Sequence, residues 1–235
     1  GIIIIEDAAH AFGSKYKDGS FVGDSKNLTC FSFYGNKNLA IGDGGAISAP
    51  NKKTADFLYK LSNQGMPNNA WQRYSNLVNL ITPEIKFYGY KMNMVDVLAA
   101  LGKIQLRRQN TFAIRRLHIA KQYVQLINDI DCGINFQTDI LHEYHSRHLF
   151  VIKLPSRVNS YQLVRDMREN NIGASIHYRP VHTHSLYKKF SRSRLIVTDK
   201  LDGNIITLPI GAKITSKEVS YVVDNLNYFI RKGLK

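Results

Sequence analysis

The chain has 235 residues, is 44% hydrophobic, and carries a formal net charge of +14. That is ample apolar material for one or two packed domains, and no signal peptide or apolar run of membrane-spanning length is read in it. The basic balance suits anionic ligands such as nucleotide diphosphates, while no helix-turn-helix or aromatic-interleaved basic repeat supports nucleic acid.

The first stretch, Gly1-Ile2-Ile3-Ile4-Ile5-Glu6-Asp7, predicts a strand buried on both faces, as in a parallel sheet covered by helices. Such sheets carry function at the carboxyl ends of their strands, where Asp7 stands beside the small Ala8 and Ala9. A strand of this kind needs neighbours on both sides, so the chain is expected to be the later part of a longer one. A helix starting near Ala8 would bring His10 to the same side as Asp7. Phe12–Gly23 is polar and dotted with glycine, a loop.

Thr29–Ser48 reads as strand, turn, glycine bend and strand. Cys30, Phe31 and Phe33 make a half-buried strand with Ser32 on the alternate face. Gly35-Asn36-Lys37-Asn38 breaks it, and Gly42, Gly44 and Gly45 allow a close backbone approach. Lys37 therefore sits on a tight loop between two buried strands. A partly desolvated amine there suits Schiff-base chemistry, although the loop alone also fits one solvated lysine among many. The pairing with Asp7 favours the chemistry. A strand-end carboxylate followed by a loop lysine is what a pyridoxal-phosphate site uses, the lysine bonding to the cofactor aldehyde and the carboxylate keeping the pyridine nitrogen protonated.

Further along, Thr54–Asn63 predicts an amphipathic helix stopped by Gln64-Gly65-Met66-Pro67. Asn68–Ile85 has no clear period and is expected to be a long loop helping to cover a substrate. Met94, Val97, Leu98, Leu101 and Ile104 form a helical stripe, with Asn93 as its expected N-cap and Asp96 at the third helical position. The pattern resumes over Ala113–Leu126 after a break near Gln109–Thr111, which sets an expected boundary between domains 1–110 and 111–235. The second domain is read as a strand over Arg147–Leu154, a helix over Tyr161–Glu169, a strand over Ala174–Tyr178, a third strand within Leu201–Pro209 and a helix over Ser216–Ile230, an α/β arrangement. His142, His145 and His148, and later His177, His182 and His184, lack the fixed partners of a zinc site, so no metal is expected. Cys30 and Cys132 lie far apart and read as buried thiols of a reducing, cytoplasmic compartment.

The segments EDAAHAFGSKY, FSFYGNKN, GDGGAIS and GYKMNMVDVLAALGKIQL, in that order, resemble the DegT/DnrJ/EryC1/StrS family of sugar aminotransferases. The later IHYRPVHT segment is similar to the branch acting on C4 of nucleotide-linked 4-keto sugars, the UDP-4-amino-4-deoxy-L-arabinose aminotransferases. The resemblance implies a pyridoxal-phosphate enzyme of the aspartate-aminotransferase type (fold type I), α/β in class, with residues 1–110 part of the large cofactor-binding domain and 111–235 the small one. It implies Lys37 as the catalytic lysine, with Asp7, His10, Ser32 and Asn93 also binding the cofactor: His10 against the ring, Ser32 on the phosphate and Asn93 reaching the neighbouring subunit's site. Arg179 and His182 would meet a substrate carboxylate or the nucleotide phosphates. The implied partners are a nucleotide-linked keto sugar, an amino-acid donor, expected to be glutamate, and a second copy in a homodimer with shared sites, with no nucleic acid and no membrane. The family's N-terminal portion is absent from residues 1–235, which are therefore expected to be inactive alone.

Two other readings compete. A sugar dehydratase of the same family carries histidine where Lys37 stands. A non-catalytic remnant or sugar-nucleotide-binding module would bind no cofactor and show no visible absorption.

Overall fold

The computed structural model describes residues 2–66, 85 and 87–232. The expected covering loop, 68–85, lies outside the described residues except for its last position. The chain forms two compact units, Gly1–Gln109 and Asn110–Lys235.

The first unit is built on a three-stranded sheet ordered β1-β2-β3, with β1 Ile5–Asp7, β2 Leu28–Ser32 and β3 Gly45–Ser48. β1 runs parallel to β2, with Ile5 opposite Leu28, Glu6 opposite Thr29 and Asp7 opposite Cys30. β2 runs antiparallel to β3, with Ser32 opposite Gly45. Side chains alternate along a strand, and opposed residues share a face. One face therefore carries Asp7, Cys30 and Ser32, and the other carries Glu6, Thr29 and Phe31. The crossover between β1 and β2 covers the second face: Phe12 meets Phe31 edge-on at 5.3 Å and Phe33 at 5.7 Å.

The four isoleucines are not doubly buried. The strand starts at Ile5, and Ile2 to Ile5 are 95%, 80%, 53% and 66% exposed. Among the described residues β1 pairs with β2 alone, and the neighbours on its other side that the sequence reading expects are not among them. Cys30 is likewise only half-buried, while Cys132 is buried.

Gly45 sits where a side chain cannot. A Cβ there would lie 2.5 Å from the Phe31 carbonyl oxygen on the paired strand, backbone that cannot swing away. Gly45→Ala is expected to lower stability by about 1–3 kcal/mol, read as a fall in the urea midpoint at unchanged slope. An unchanged midpoint would show that the strands part at no cost.

Helix α1 spans Lys52–Ser62, two residues earlier than its apolar pattern suggested, because Asn51 caps it by accepting from the Thr54 N–H at 2.9 Å. The GYKMN segment returns against its end: Tyr90 N–H donates to Leu61 O at 2.7 Å and Met92 N–H to Ser62 O at 2.8 Å. Helix α2, Asp96–Arg107, corrects the expected start. Its cap is Val95, extended and without a side-chain bond, and Asp96 is the first helical residue rather than the third. Asn93 lies upstream, its side-chain oxygen taken by the Lys91 amine. The end of the Met94 side chain lies beside Gly44, where a Cβ would come within 3.2 Å of it.

In the second unit, helix α3 (Gln109–Asp129) begins directly after Arg108, which caps α2. The sheet is ordered β4-β5-β6 and antiparallel, from Asn135–Phe136, Phe150–Lys153 and Ile205–Leu208. Helices α4 (Ser160–Glu169) and α7 (Ser216–Lys232) join α3 around it; the short α5 (Ser185–Lys188) and α6 (Ile196–Leu201) lie between. Ile119, Tyr123, Phe150, Ile152, Leu226 and Ile230 are among the fully buried core, and Tyr123 stacks on Phe150 at 5.0 Å.

Two expected strands change here. The strand predicted from Arg147 begins only at Phe150. Arg147 has φ +53, a left-handed conformation that breaks pairing. Its buried guanidinium donates to the carbonyls of Ile140 (2.9 Å), His145 (2.6 Å) and His142. The strand over Ala174–Tyr178 reduces to a single bridge between Ser175 and Thr207. Its neighbouring groups are diverted: Ala174 N–H donates to Ile172 O, and Ala174 O accepts from the Arg168 Nε at 2.9 Å.

Candidate active site

Asp7 emerges at the carboxyl end of β1, exposed, with Oδ1 accepting from the Ala9 N–H at 3.0 Å. Oδ2 makes no bond among the described residues. No helix starts at Ala8: Ala8 is buried, its N–H bonds to Cys30 O at 2.9 Å, and its carbonyl accepts from Ala11 N–H, forming a turn that carries His10. His10 is half-buried there.

Ser32 ends β2 on the same face as Asp7, two residues beyond Asp7's partner Cys30, about 6.6 Å along the strand. Its hydroxyl oxygen faces the Tyr34 N–H at 3.4 Å. The chain then turns, Lys37 N–H donating to Tyr34 O at 2.9 Å. Lys37 is half-buried, and its amine has no hydrogen-bond or ion-pair partner among the described residues. The residues after Lys37 are anchored: Leu39 and Ile41 are buried, the Asn38 side chain reaches Phe12 O, and Asn38 O accepts from the Gln109 side chain at 3.1 Å. Lys37 thus stands on an anchored loop, its amine unbonded among the described residues.

Asn93 is exposed, one residue before the Met94 that touches Gly44. Arg179 and His182 belong to the second unit. Arg179 is exposed and donates to the Thr183 hydroxyl at 3.0 Å and carbonyl at 3.1 Å. His182 Nε2 is 2.7 Å from Asp199 Oδ1, an engagement the sequence did not suggest. The structure therefore places Asp7 at the carboxyl end of β1, Ser32 at that of the adjacent parallel β2 and Lys37 on the loop that follows, with His182 in the turn Val181–Thr183 of the other unit and Arg179 just before that turn.

Three residues escaped the sequence reading. Asn38 and Gln109 brace the lysine loop. Glu6 lies behind Asp7 and accepts four hydrogen bonds: from Tyr16 at 2.6 Å, Asn27 at 2.6 Å, Thr29 at 3.0 Å and Ser25 at 3.3 Å. These donors, Asn27 foremost, hold its carboxyl below the usual carboxylate range, and the same contact pushes the Tyr16 phenol up. The signal was available in the strand alternation: a carboxylate on the face opposite Asp7 needs partners, and the crossover supplies Tyr16, three serines and Asn27. Among the described residues no group of three or more His, Cys, Asp or Glu is placed to hold a metal ion, and no helix is long and apolar enough to cross a membrane.

The first unit thus presents a strand-end carboxylate, a hydroxyl on the same sheet face and a lysine on a braced loop that has no hydrogen-bond or ion-pair partner among the described residues. The chain belongs to the DegT/DnrJ/EryC1/StrS aminotransferase family, whose model matches residues 1–227. It is 33% identical over 238 residues to the uncharacterized protein MJ1066 of Methanocaldococcus jannaschii, covering 99% of this chain and 61% of that protein. It is 38% identical over 195 residues to the spore coat polysaccharide biosynthesis protein SpsC of Bacillus subtilis, covering 80% of this chain and 49% of that one. The chain thus spans about half to three-fifths of the relatives it matches. Among solved structures, PseC of Helicobacter pylori, an aminotransferase in pseudoaminic acid biosynthesis, superposes with a TM-score of 0.85 at 20% identity over 97% of this chain and 59% of its own. The pyridoxal-phosphate form of the putative sugar aminotransferase Spr1654 of Streptococcus pneumoniae gives 0.83 at 26% identity, over 100% and 59%. The fold is that of the fold type I sugar aminotransferases, and the family's cofactor is pyridoxal phosphate.

Proposed function

We propose that this protein transfers an amino group from an amino acid, glutamate, to C4 of a nucleotide-linked 4-keto sugar. The observation that carries the reading is the emergence of Asp7 and the Lys37 loop from the carboxyl ends of adjacent parallel strands, with one carboxylate oxygen and the amine unbonded among the described residues. Pyridoxal phosphate, when bound, supplies the electron sink. Asp7 would keep a proton on the ring nitrogen, His10 would pack against the ring, the Ser32 hydroxyl would bind the phosphate, and Asn93 would reach the cofactor of the neighbouring subunit's site. Lys37 would hold the cofactor and carry protons during transfer. Arg179 and His182 take the anionic part of a substrate. The protein works as a homodimer in the cytoplasm, Asn93 serving the partner's site.

Adding pyridoxal phosphate should produce a visible band at about 410–430 nm. Borohydride treatment should then fix the label on the peptide holding Lys37. Absence of the band, or labelling at another lysine, overturns the assignment. Incubation with glutamate and a nucleotide-linked 4-keto sugar should yield 2-oxoglutarate and the 4-amino sugar. Mixing the inactive Lys37→Ala and Asn93→Ala chains should restore part of the activity, since one hybrid site keeps both residues; heterodimers without rescue would refute the shared site.

A further inference from the structure

We infer that Glu6 is the positioning residue for Asp7, setting the register of β1 so that Asp7 and not its neighbour faces the cofactor. The inference rests on the reading of Asp7 as the ring-nitrogen partner. Among the described residues β1 is three residues long and pairs with β2 through Ile5–Leu28, Glu6–Thr29 and Asp7–Cys30. So short a ladder fixes register weakly, and a slip of one residue turns every side chain to the other face. In this strand that error is specific, because Glu6 and Asp7 are both carboxylates and a slip would exchange them.

The donors behind the sheet discriminate between the two. Tyr16 and Thr29 bond to one oxygen of Glu6, Asn27 and Ser25 to the other, so both oxygens are engaged from opposite sides. Thr29 is fully buried on β2 itself, whereas Tyr16, Ser25 and Asn27 belong to the crossover. A carboxylate accepting four bonds is a strong local anchor, and the shorter aspartate cannot span the same set. With Glu6 seated, Asp7 is committed to the opposite face, and the Ala8 N–H bond to Cys30 O extends the register one residue further.

The test compares Glu6→Ala, Glu6→Gln, Asp7→Asn and the double variant Glu6→Ala/Asp7→Asn in the cofactor-loaded protein. Exchange of the Ala8 amide with deuterium should quicken by roughly tenfold or more in Glu6→Ala. The pH midpoint of the visible band should move in the direction that Asp7→Asn moves it, and the double variant should move no further than Asp7→Asn alone. Glu6→Gln, which keeps the shape and loses the charge, should lie between the parent and Glu6→Ala, and it serves alone if the alanine variant does not fold. A lowered melting temperature with the band midpoint and Ala8 protection both at parent values overturns the inference, leaving Glu6 a loop anchor. If Asp7→Asn leaves the band where it was, the reading of Asp7 falls. Ala8 protection then decides the register claim by itself, and unchanged protection in Glu6→Ala refutes it.

Discussion

Lys37→Ala is expected to abolish amino transfer, by a factor on the order of 10³ or more, while leaving the far-ultraviolet circular dichroism of the protein unchanged. The two halves of this expectation rest on different observations. The amine makes no bond among the described residues, so its removal leaves no buried partner unsatisfied. The loop's conformation comes instead from the buried Leu39 and Ile41, the turn bond to Tyr34 O and the grip of Gln109 on Asn38 O. An alanine variant that still turned over near the parent rate would remove Lys37 from the chemistry.

Asp7→Asn is expected to retain the cofactor and lose rate by on the order of 10²–10³-fold, the usual scale for deleting one preorganised electrostatic group at a reacting centre. The asparagine keeps an oxygen for the Ala9 N–H, so the turn after β1 should survive. What it loses is the negative charge that holds a proton on the ring nitrogen. The loss should therefore fall on the rate constant of the bound complex more than on cofactor affinity. Unchanged kinetics would reduce Asp7 to a turn cap.

Residue type and spacing made the family and fold of this chain readable, because the family motifs are local and keep their order, and a strand-end carboxylate and a loop lysine are local features too. Helix positions were readable for the same reason: the stripes ending in Ile104 and Ile230 are periodic, and periodicity reports on one element at a time. The misreadings fell where a distant side chain decides the backbone. Arg147 looks like a strand residue until its guanidinium is seen to collect carbonyls from 140, 142 and 145, which forces the left-handed turn. Asn93 has the chemistry of a cap, but its side-chain oxygen is taken by the Lys91 amine and the helix starts only at Asp96. Glu6 was hidden by its neighbour: Asp7 explained the motif well enough that the second carboxylate drew no question.

The crossover from β1 to β2 contains no helix. Parallel strands are more often joined by one, and a helix constrains its sequence at every turn through its apolar stripe. Here the path is held at a few points: Phe12 against the Phe31 and Phe33 rings, Tyr16, Ser25 and Asn27 on Glu6, and a short bridge between Lys15 and Phe21. Between those points Lys17, Asp18 and Lys26 are exposed. Substitution tolerance across this segment should therefore be punctuated, free at the exposed positions and abruptly narrow at the anchors. Divergence among relatives should concentrate between the anchors, so that the crossover drifts in sequence while its ends, and the carboxylate they present, stay where they are.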